Sequence, residues 1–161
     1  RPSIVDISSL LQASDESTQD QAAFFKAQVL FWLIGATDGH AKNFSVFLSP
    51  GGGFRLTPFY DVLSAQQAFD ANQIPHSSYR LAMSVGKSRK YKVLDITGRH
   101  FVETGREAGL GPAIIREVIT SVLELLVKLP IRQSRKCRTI FQHQCEWALL
   151  LAAKQLQTTS I

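Results

Sequence analysis

A chain of 161 residues, 45% hydrophobic and 19% charged, has the composition of one ordinary globular domain long enough to bury a core. The net charge of +5 permits contact with nucleic acid or an acidic partner without demanding it. No apolar run reaches the roughly 20 residues of a membrane span, no signal peptide is visible, and two cysteines make no disulfide framework, so a reducing cytosol is expected.

In chain order, Ser3-Ile-Val-Asp6 has the form of a capping box, with Asp in place of the usual Glu. Ile4, Ile7, Leu10 and Leu11 give the helical stripe behind it. Asp15, Glu16, Ser17 and Thr18 form a polar break, and Thr18 with Gln21 is placed to cap the next helix. That helix is expected from about Asp20 to Ile34. Lys26 and Gln28 are its only polar residues after Gln21, and a helix apolar nearly all round belongs in a core. Gly35 terminates it.

The next stretch, Gly35-Ala-Thr-Asp38-Gly-His40-Ala41-Lys42-Asn43, carries the chemistry. Asp38 and Asn43 stand five apart, the spacing of the catalytic loop in protein kinases. Phosphoryl transfer needs a carboxylate to orient the attacking hydroxyl and take its proton, and oxygen ligands for Mg²⁺. Asn43-Phe-Ser-Val-Phe-Leu48 reads as a strand, Ser49-Pro-Gly-Gly-Gly53 as a turn, and Phe54-Arg-Leu-Thr57 as the return strand. This hairpin delivers Pro58-Phe-Tyr60-Asp61 and is expected to bring Asp61 beside Asn43. The Asp-Phe-Gly tripeptide of protein kinases is absent: Phe59-Tyr60 precede the Asp and Val62 follows it. The three glycines are a hairpin turn and not a phosphate loop, because no Gly-Lys pair and no helix follow them. Asp38 alone would be ordinary turn chemistry. A lone His40 is poor evidence for zinc and is expected to order the loop or touch phosphate. Lys42 is either a solvated lysine or a phosphate contact.

Beyond the hairpin, Val62 to Asp70 is expected as a short helix and Ala71 to Ser78 as a loop. Arg80-Leu-Ala-Met-Ser-Val85 and Tyr91-Lys-Val93 read as short strands around a basic turn, Gly86 to Lys90. Ile96 to Ala108 is expected as a helix ending at Gly109 or Gly111. Pro112 suits a first helical position, and Ile114, Ile115, Val118, Ile119, Val122, Leu125 and Leu126 form the face of the helix it opens. The two most apolar helical stretches, Ala22–Ile34 and Ile114–Leu126, are expected to bury each other. Pro130 ends the second, and Ser134 to Gln157 is expected as a last helix with Trp147 in its apolar half. Cys137 and Cys145 on it would stand about 12 Å apart, too far to bridge. His76, His100 and His143 have no partner legible in the sequence.

Trp32-Leu-Ile-Gly-Ala-Thr-Asp-Gly-His-Ala-Lys-Asn-Phe-Ser-Val-Phe47, with Arg55-Leu-Thr-Pro-Phe-Tyr-Asp-Val-Leu-Ser64, resembles the C-terminal lobe of the HipA-type serine/threonine kinase toxins. The likeness is strongest from Phe24 to Ser64 and continues through Leu81-Ala-Met83 and Arg99-His-Phe101. It implies a mainly helical fold with small β-hairpins, residues 1–161 forming one kinase-like C-terminal lobe. It implies Asp38 as catalytic base. ATP and Mg²⁺ fall to His40, Ala41, Lys42, Asn43, Tyr60 and Asp61, with Asn43 and Asp61 on the metal. It also implies a HipB-like helix-turn-helix antitoxin as partner, operator DNA through that complex, and a protein substrate. Arg106 falls near the family's basic DNA contact. The run Lys87, Arg89, Lys90 and Lys92 reads as solvated surface, with DNA phosphate as its other reading.

A kinase of this kind also needs an N-terminal lobe with a phosphate-covering loop and a strand lysine. Neither is found in these 161 residues, and the chain starts at Arg1, so the lobe is expected to be cut off or supplied by another chain. The chain alone is then expected to be inactive. Two rivals remain: a lobe of a lipid or small-molecule kinase, and a non-catalytic module that holds an antitoxin or DNA.

Overall fold

The computed structural model describes residues 2–128. It is a helical assembly with two small antiparallel hairpins. Helix α1 (Ile4–Leu11) and helix α2 (Ser17–Ile34) lead into the hairpin β1 (Val46–Leu48) and β2 (Phe54–Leu56). A short helix α3 (Gln66–Asp70) precedes the second hairpin, β3 (Arg80–Val85) and β4 (Lys90–Lys92). Helices α4 (Gly98–Glu107) and α5 (Pro112–Lys128) complete the described chain. The expected last helix, with Cys137, His143, Cys145 and Trp147, and the stop at Pro130 lie outside the described residues.

The capping box at α1 forms as its residues suggest. Ser3 N–H donates to Asp6 Oδ2 at 2.7 Å, and Asp6 N–H donates back to Ser3 Oγ at 3.2 Å. The Ser3 backbone donor holds the Asp6 carboxyl below its ordinary value, because it stabilises the anion.

Helix α2 is the core element. Phe24 and Phe25 are fully buried, and Val29, Trp32 and Leu33 join them. Phe24 and Phe25 stand only about 100° apart on a helix, so α2 is covered on more than one side. It packs on α5, whose Ile115, Val118 and Val122 are buried, so the two most apolar stretches do meet. Leu125, counted in that α5 face, stands 41% exposed. Between them α4 approaches closely: a Cβ on Gly105 would lie 2.9 Å from Ile115 and 3.1 Å from Phe25. Trp32 packs on Phe101 of α4 and donates its indole N–H to the Val93 carbonyl at 3.2 Å.

Several boundaries differ from expectation, each for a local reason. Helix α2 begins at Ser17, and the Thr18–Gln21 cap gives way to Gln21 Nε2 donating to Ser17 Oγ at 2.9 Å. The helix expected from Val62 starts only at Gln66. Ser64 Oγ donates to the Ile34 carbonyl and Ala65 N–H to the Gly35 carbonyl, which ties residues 64 and 65 to the end of α2. Strand β4 covers Lys90–Lys92, not Tyr91–Val93. Its register pairs Arg80 with Lys92 and Val85 with Lys90, so β3 bulges between them. Val93 opens a 3₁₀ turn instead.

Helix α4 starts two residues later than expected, because Thr97 is its N-cap and His100 takes the place of Glu in a capping box. Thr97 N–H donates to His100 Nδ1 at 3.0 Å, which gives this histidine the partner that its sequence context did not reveal. Burial pushes the His100 imidazole below its ordinary value of 6.5, with Glu103 opposing the shift. The folded state therefore resists a proton that the unfolded chain accepts. Stability contributed above about pH 6.5 is lost as pH falls through that value towards the lower folded one. His100→Gln keeps a capping acceptor and removes the titration. Between pH 7 and 5 its melting temperature is expected to fall less than that of the parent chain; parallel curves would contradict this assignment.

Candidate active site

The loop grows from the end of α2. Gly35 adopts φ 64° and ψ 36°, the left-handed conformation, as the helix cap. Ala36 N–H returns to the Phe31 carbonyl at 2.8 Å, so the chain leaves the core in a fixed direction. Gly39 is held by its surroundings: a Cβ there would meet the Phe31 ring at 2.5 Å.

Asp38, His40 and Asn43 converge within this loop. His40 Nε2 lies 2.7 Å from Asp38 Oδ1. Asn43 Nδ2 donates to the Asp38 backbone carbonyl at 2.6 Å, closing the loop on itself. The Asn43 side chain is thereby drawn back, residues Ala41–Asn43 form a 3₁₀ turn, and the strand expected from Asn43 begins only at Val46. Among the described residues no donor meets Asn43 Oδ1. His40 holds Asp38 through one carboxylate oxygen and leaves the other open to solvent, since this side chain is 70% exposed. Ala41 packs against the core and Lys42 points to solvent.

The hairpin delivers the second half. Val46 pairs with Leu56 and Leu48 with Phe54, and the ladder extends to Thr57 N–H donating to the Ser45 carbonyl at 3.0 Å. The turn is the one the glycines suggest: Gly51 and Gly52 both have φ near 90°, and Ser49 N–H bonds the Gly53 carbonyl at 2.8 Å. Phe44, next to Asn43, meets Phe59 edge-on at 5.8 Å and Phe24 of α2 at 4.9 Å. Ser45 Oγ and Tyr60 Oη share a hydrogen bond at 2.6 Å. The segment carrying Asp61 is thus held to the segment carrying Asn43 by a ring contact and a hydroxyl pair. Asp61 itself takes φ 53°, a conformation that Asp tolerates better than most residues. Among the described residues its carboxylate has no hydrogen-bond or ion-pair partner.

Sequence reading missed the clasp beneath the hairpin. Asp20 is 5% exposed and accepts both Ser14 Oγ–H and, at 2.9 Å, Leu56 N–H from β2. Arg55 pairs with Glu16 at 2.5 Å, and Asp15 N–H donates to the Phe54 carbonyl at 2.9 Å. The polar break before α2 is therefore the hairpin's anchor. Its only sequence signal was an acidic residue in the first turn of an otherwise apolar helix.

Of the remaining site candidates, Arg106 is exposed in the last turn of α4 and lines neither cavity beside the loop. The two oxygens at Asn43 and Asp61 suit Mg²⁺, which takes one or two protein ligands and fills its octahedron with water and phosphate. Among the described residues, no cluster of three His, Cys, Asp or Glu offers a transition-metal site. No helix among them is long and apolar enough to cross a membrane.

A model of the HipA-like C-terminal domain matches residues 1–156. The Sinorhizobium fredii protein Y4mE, whose designation as a kinase is itself provisional, is 28% identical over 124 residues, 76% of this chain and 27% of Y4mE. A solved complex of HipA, HipB and operator DNA from a Shewanella oneidensis MR-1 toxin–antitoxin system superposes with a TM-score of 0.61 at 19% identity, covering 95% of this chain and 35% of that one. The chain thus spans about a third or less of the length of these relatives, and at that identity the solved structure speaks for the fold alone.

Proposed function

The chain belongs to the HipA-like C-terminal domain family, and from that premise we propose that it is the catalytic lobe of a kinase that transfers phosphate from Mg-ATP to a protein serine or threonine. One observation carries the reading. The Asp38–Asn43 loop is closed by its own hydrogen bond, with the Asp38 carboxylate 70% exposed and met by His40 through one of its oxygens.

In this reading Asp38 accepts the proton of the attacking hydroxyl, and His40 keeps the carboxylate from rotating. Asn43 Oδ1 and the Asp61 carboxylate hold Mg²⁺, which supplies charge neutralisation for the phosphates when bound. Tyr60, fixed by Ser45, and the rim from His40 to Lys42 border the nucleotide. Phe47 and Leu48 on β1, and Val62 and Leu63 after Asp61, are exposed apolar residues. They offer contacts for a nucleotide-covering lobe, which must also bring a phosphate-gripping lysine. By analogy with the solved relative, a HipB-like antitoxin is the proposed partner, with operator DNA met through that complex. Residues Lys87 to Lys92 and Arg106 would touch DNA phosphates only, because they stand on a turn and a helix end and form no recognition helix.

The test is a labelled-ATP assay on the 161-residue chain and on a protein that carries it together with an N-terminal lobe. Phosphotransfer is expected from the second and not from the first, because positioning supplies most of this catalysis and half the positioning groups are missing. Turnover by the chain alone, absent in its Asp38→Asn variant, would overturn the incomplete-site part. No turnover by the two-lobed protein towards any Ser/Thr protein mixture would overturn the kinase reading.

A further inference from the structure

The two halves of the site are tied to opposite ends of one helix. At its C-terminal end, Gly35 caps α2 and starts the loop of Asp38 and Asn43. At its N-terminal end, Asp20 holds β2, the strand from which the chain runs on to Asp61. The hold is made on the outer edge of the hairpin. Phe47 pairs with Arg55, and Thr57 N–H bonds the Ser45 carbonyl. The alternation of an antiparallel ladder therefore turns Leu56 N–H and the Phe54 carbonyl away from β1. Asp20 Oδ2 accepts from the first at 2.9 Å, and Asp15 N–H donates to the second at 2.9 Å. An edge that would otherwise stand open is thus filled by the start of α2.

Asp20 is not what packing alone would place there. Its side chain is buried and pairs with no cation among the described residues. Burying a carboxylate is costly, and here only hydrogen bonds and the N-terminal end of the helix offset it. What the carboxylate supplies is geometry. One oxygen collects Ser14 Oγ–H from the segment before the helix and Leu56 N–H from the hairpin.

The far end of the same segment is pinned too. Ser64 Oγ–H donates to the Ile34 carbonyl and Ala65 N–H to the Gly35 carbonyl. The span from Leu56 to Ser64 is therefore fastened at both ends to α2 and runs against the helix direction. Asp20 and Ile34 stand about 21 Å apart along the axis at 1.5 Å per residue. The span reaches at most about 26–29 Å when fully extended, and Asp61 bends it at φ 53°. Little slack remains. Midway, Tyr60 and Phe59 touch Ser45 and Phe44. A two-stranded hairpin is marginal by itself, so those contacts last only while the hairpin is held.

We infer that Asp20 is a positioning residue for Asp61. By fixing Leu56 it sets where the Asp61 carboxylate stands relative to Asn43, and with that the Mg²⁺ affinity of the site. The inference rests on the kinase reading and adds to it a residue that touches neither metal nor nucleotide.

The experiment titrates a fluorescent ATP analogue in Mg²⁺ against a protein that carries this chain with its nucleotide-covering lobe. Asp20→Ala is expected to weaken binding about 10- to 100-fold, the usual effect of removing a group that orients a metal ligand. In an Asp61→Asn background the same change should weaken it less than about twofold, because the residue it acts through is gone. Asp20→Asn keeps an acceptor for Leu56 N–H and should restore most of the affinity. Amide exchange at residues 54–61 should quicken in Asp20→Ala. Val118→Ala, a core truncation where α5 meets α2, is the stability control: it should lower the melting temperature and leave Mg-ATP affinity at the parental value. Where Asp20→Ala fails to fold, Asp20→Ser, too short to hold both Ser14 and Leu56, is judged by the same measurements. Parental affinity in the folded variant, or equal losses with and without the Asp61 carboxylate, overturns the inference and spares the kinase reading. An equal loss in Val118→Ala also overturns it, since the effect is then one of stability. A parent protein with no Mg²⁺-dependent ATP binding removes the kinase reading, and the role of Asp20 with it.

Discussion

Asp38→Asn, placed in a protein that carries this chain with its nucleotide-covering lobe, is expected to lower phosphotransfer by about a hundredfold to ten-thousandfold, the usual worth of a general base. Fold and Mg-ATP binding should remain. The Asp38 side chain is 70% exposed, and Asn43 bonds to the backbone carbonyl at this position, which the substitution leaves in place. Asn also retains an oxygen for the His40 contact. Asp61→Asn is expected to behave differently. Asn accepts the left-handed backbone at φ 53° as readily as Asp, so the change removes charge without disturbing the chain. Mg-ATP affinity should then fall along with rate. Titration of a fluorescent ATP analogue in Mg²⁺ separates the two variants. Equal nucleotide affinities would remove Asp61 from the metal, and near-parental rates in Asp38→Asn would remove Asp38 from the chemistry.

Gly35→Ala should be the most damaging of the small substitutions. A Cβ at Gly35 would lie 2.0 Å from Tyr79 Oη and 3.0 Å from the ring carbon that bears it. Tyr79 is 1% exposed, stacks on Phe69 at 4.1 Å and donates its hydroxyl to Gln66, so it has little room to retreat. The left-handed backbone adds about 1 kcal/mol of its own, and overpacking typically adds 1–3. A loss of about 2–4 kcal/mol is expected in denaturant unfolding. Gly51→Ala is the control. Its φ is 89° but nothing lies within 4 Å of the added methyl, so it should show the backbone cost alone. Adding Tyr79→Phe to Gly35→Ala removes the clashing oxygen and should recover part of the loss, although the Gln66 bond goes with it. Equal losses in the two alanine variants, or full additivity with Tyr79→Phe, would show that the packing argument is wrong.

The same glycine divides what was legible from what was not. Its role as the end of an apolar helix is local, a matter of φ and the residue before it, and so is visible in the residues. The capping box Ser3–Asp6, the Ser49–Gly53 turn, and the Asp38–Asn43 spacing are visible for the same reason: each is satisfied within six residues. Together these local signals determine a helical lobe, a loop and a hairpin with the residue types of phosphoryl transfer. The tertiary structure decided what lies across long gaps. Tyr79 fills the space in front of Gly35 from another element. Asp20 takes the Leu56 N–H of a strand 36 residues away. Phe44 meets Phe24 and Phe59 at once, and Arg80 and Arg89 come to one cavity with His40. Such contacts depend on how closed loops stack, which no periodicity records. Neither a buried carboxylate in a first helical turn nor an arginine on a strand declares its partner until the chain has folded around it.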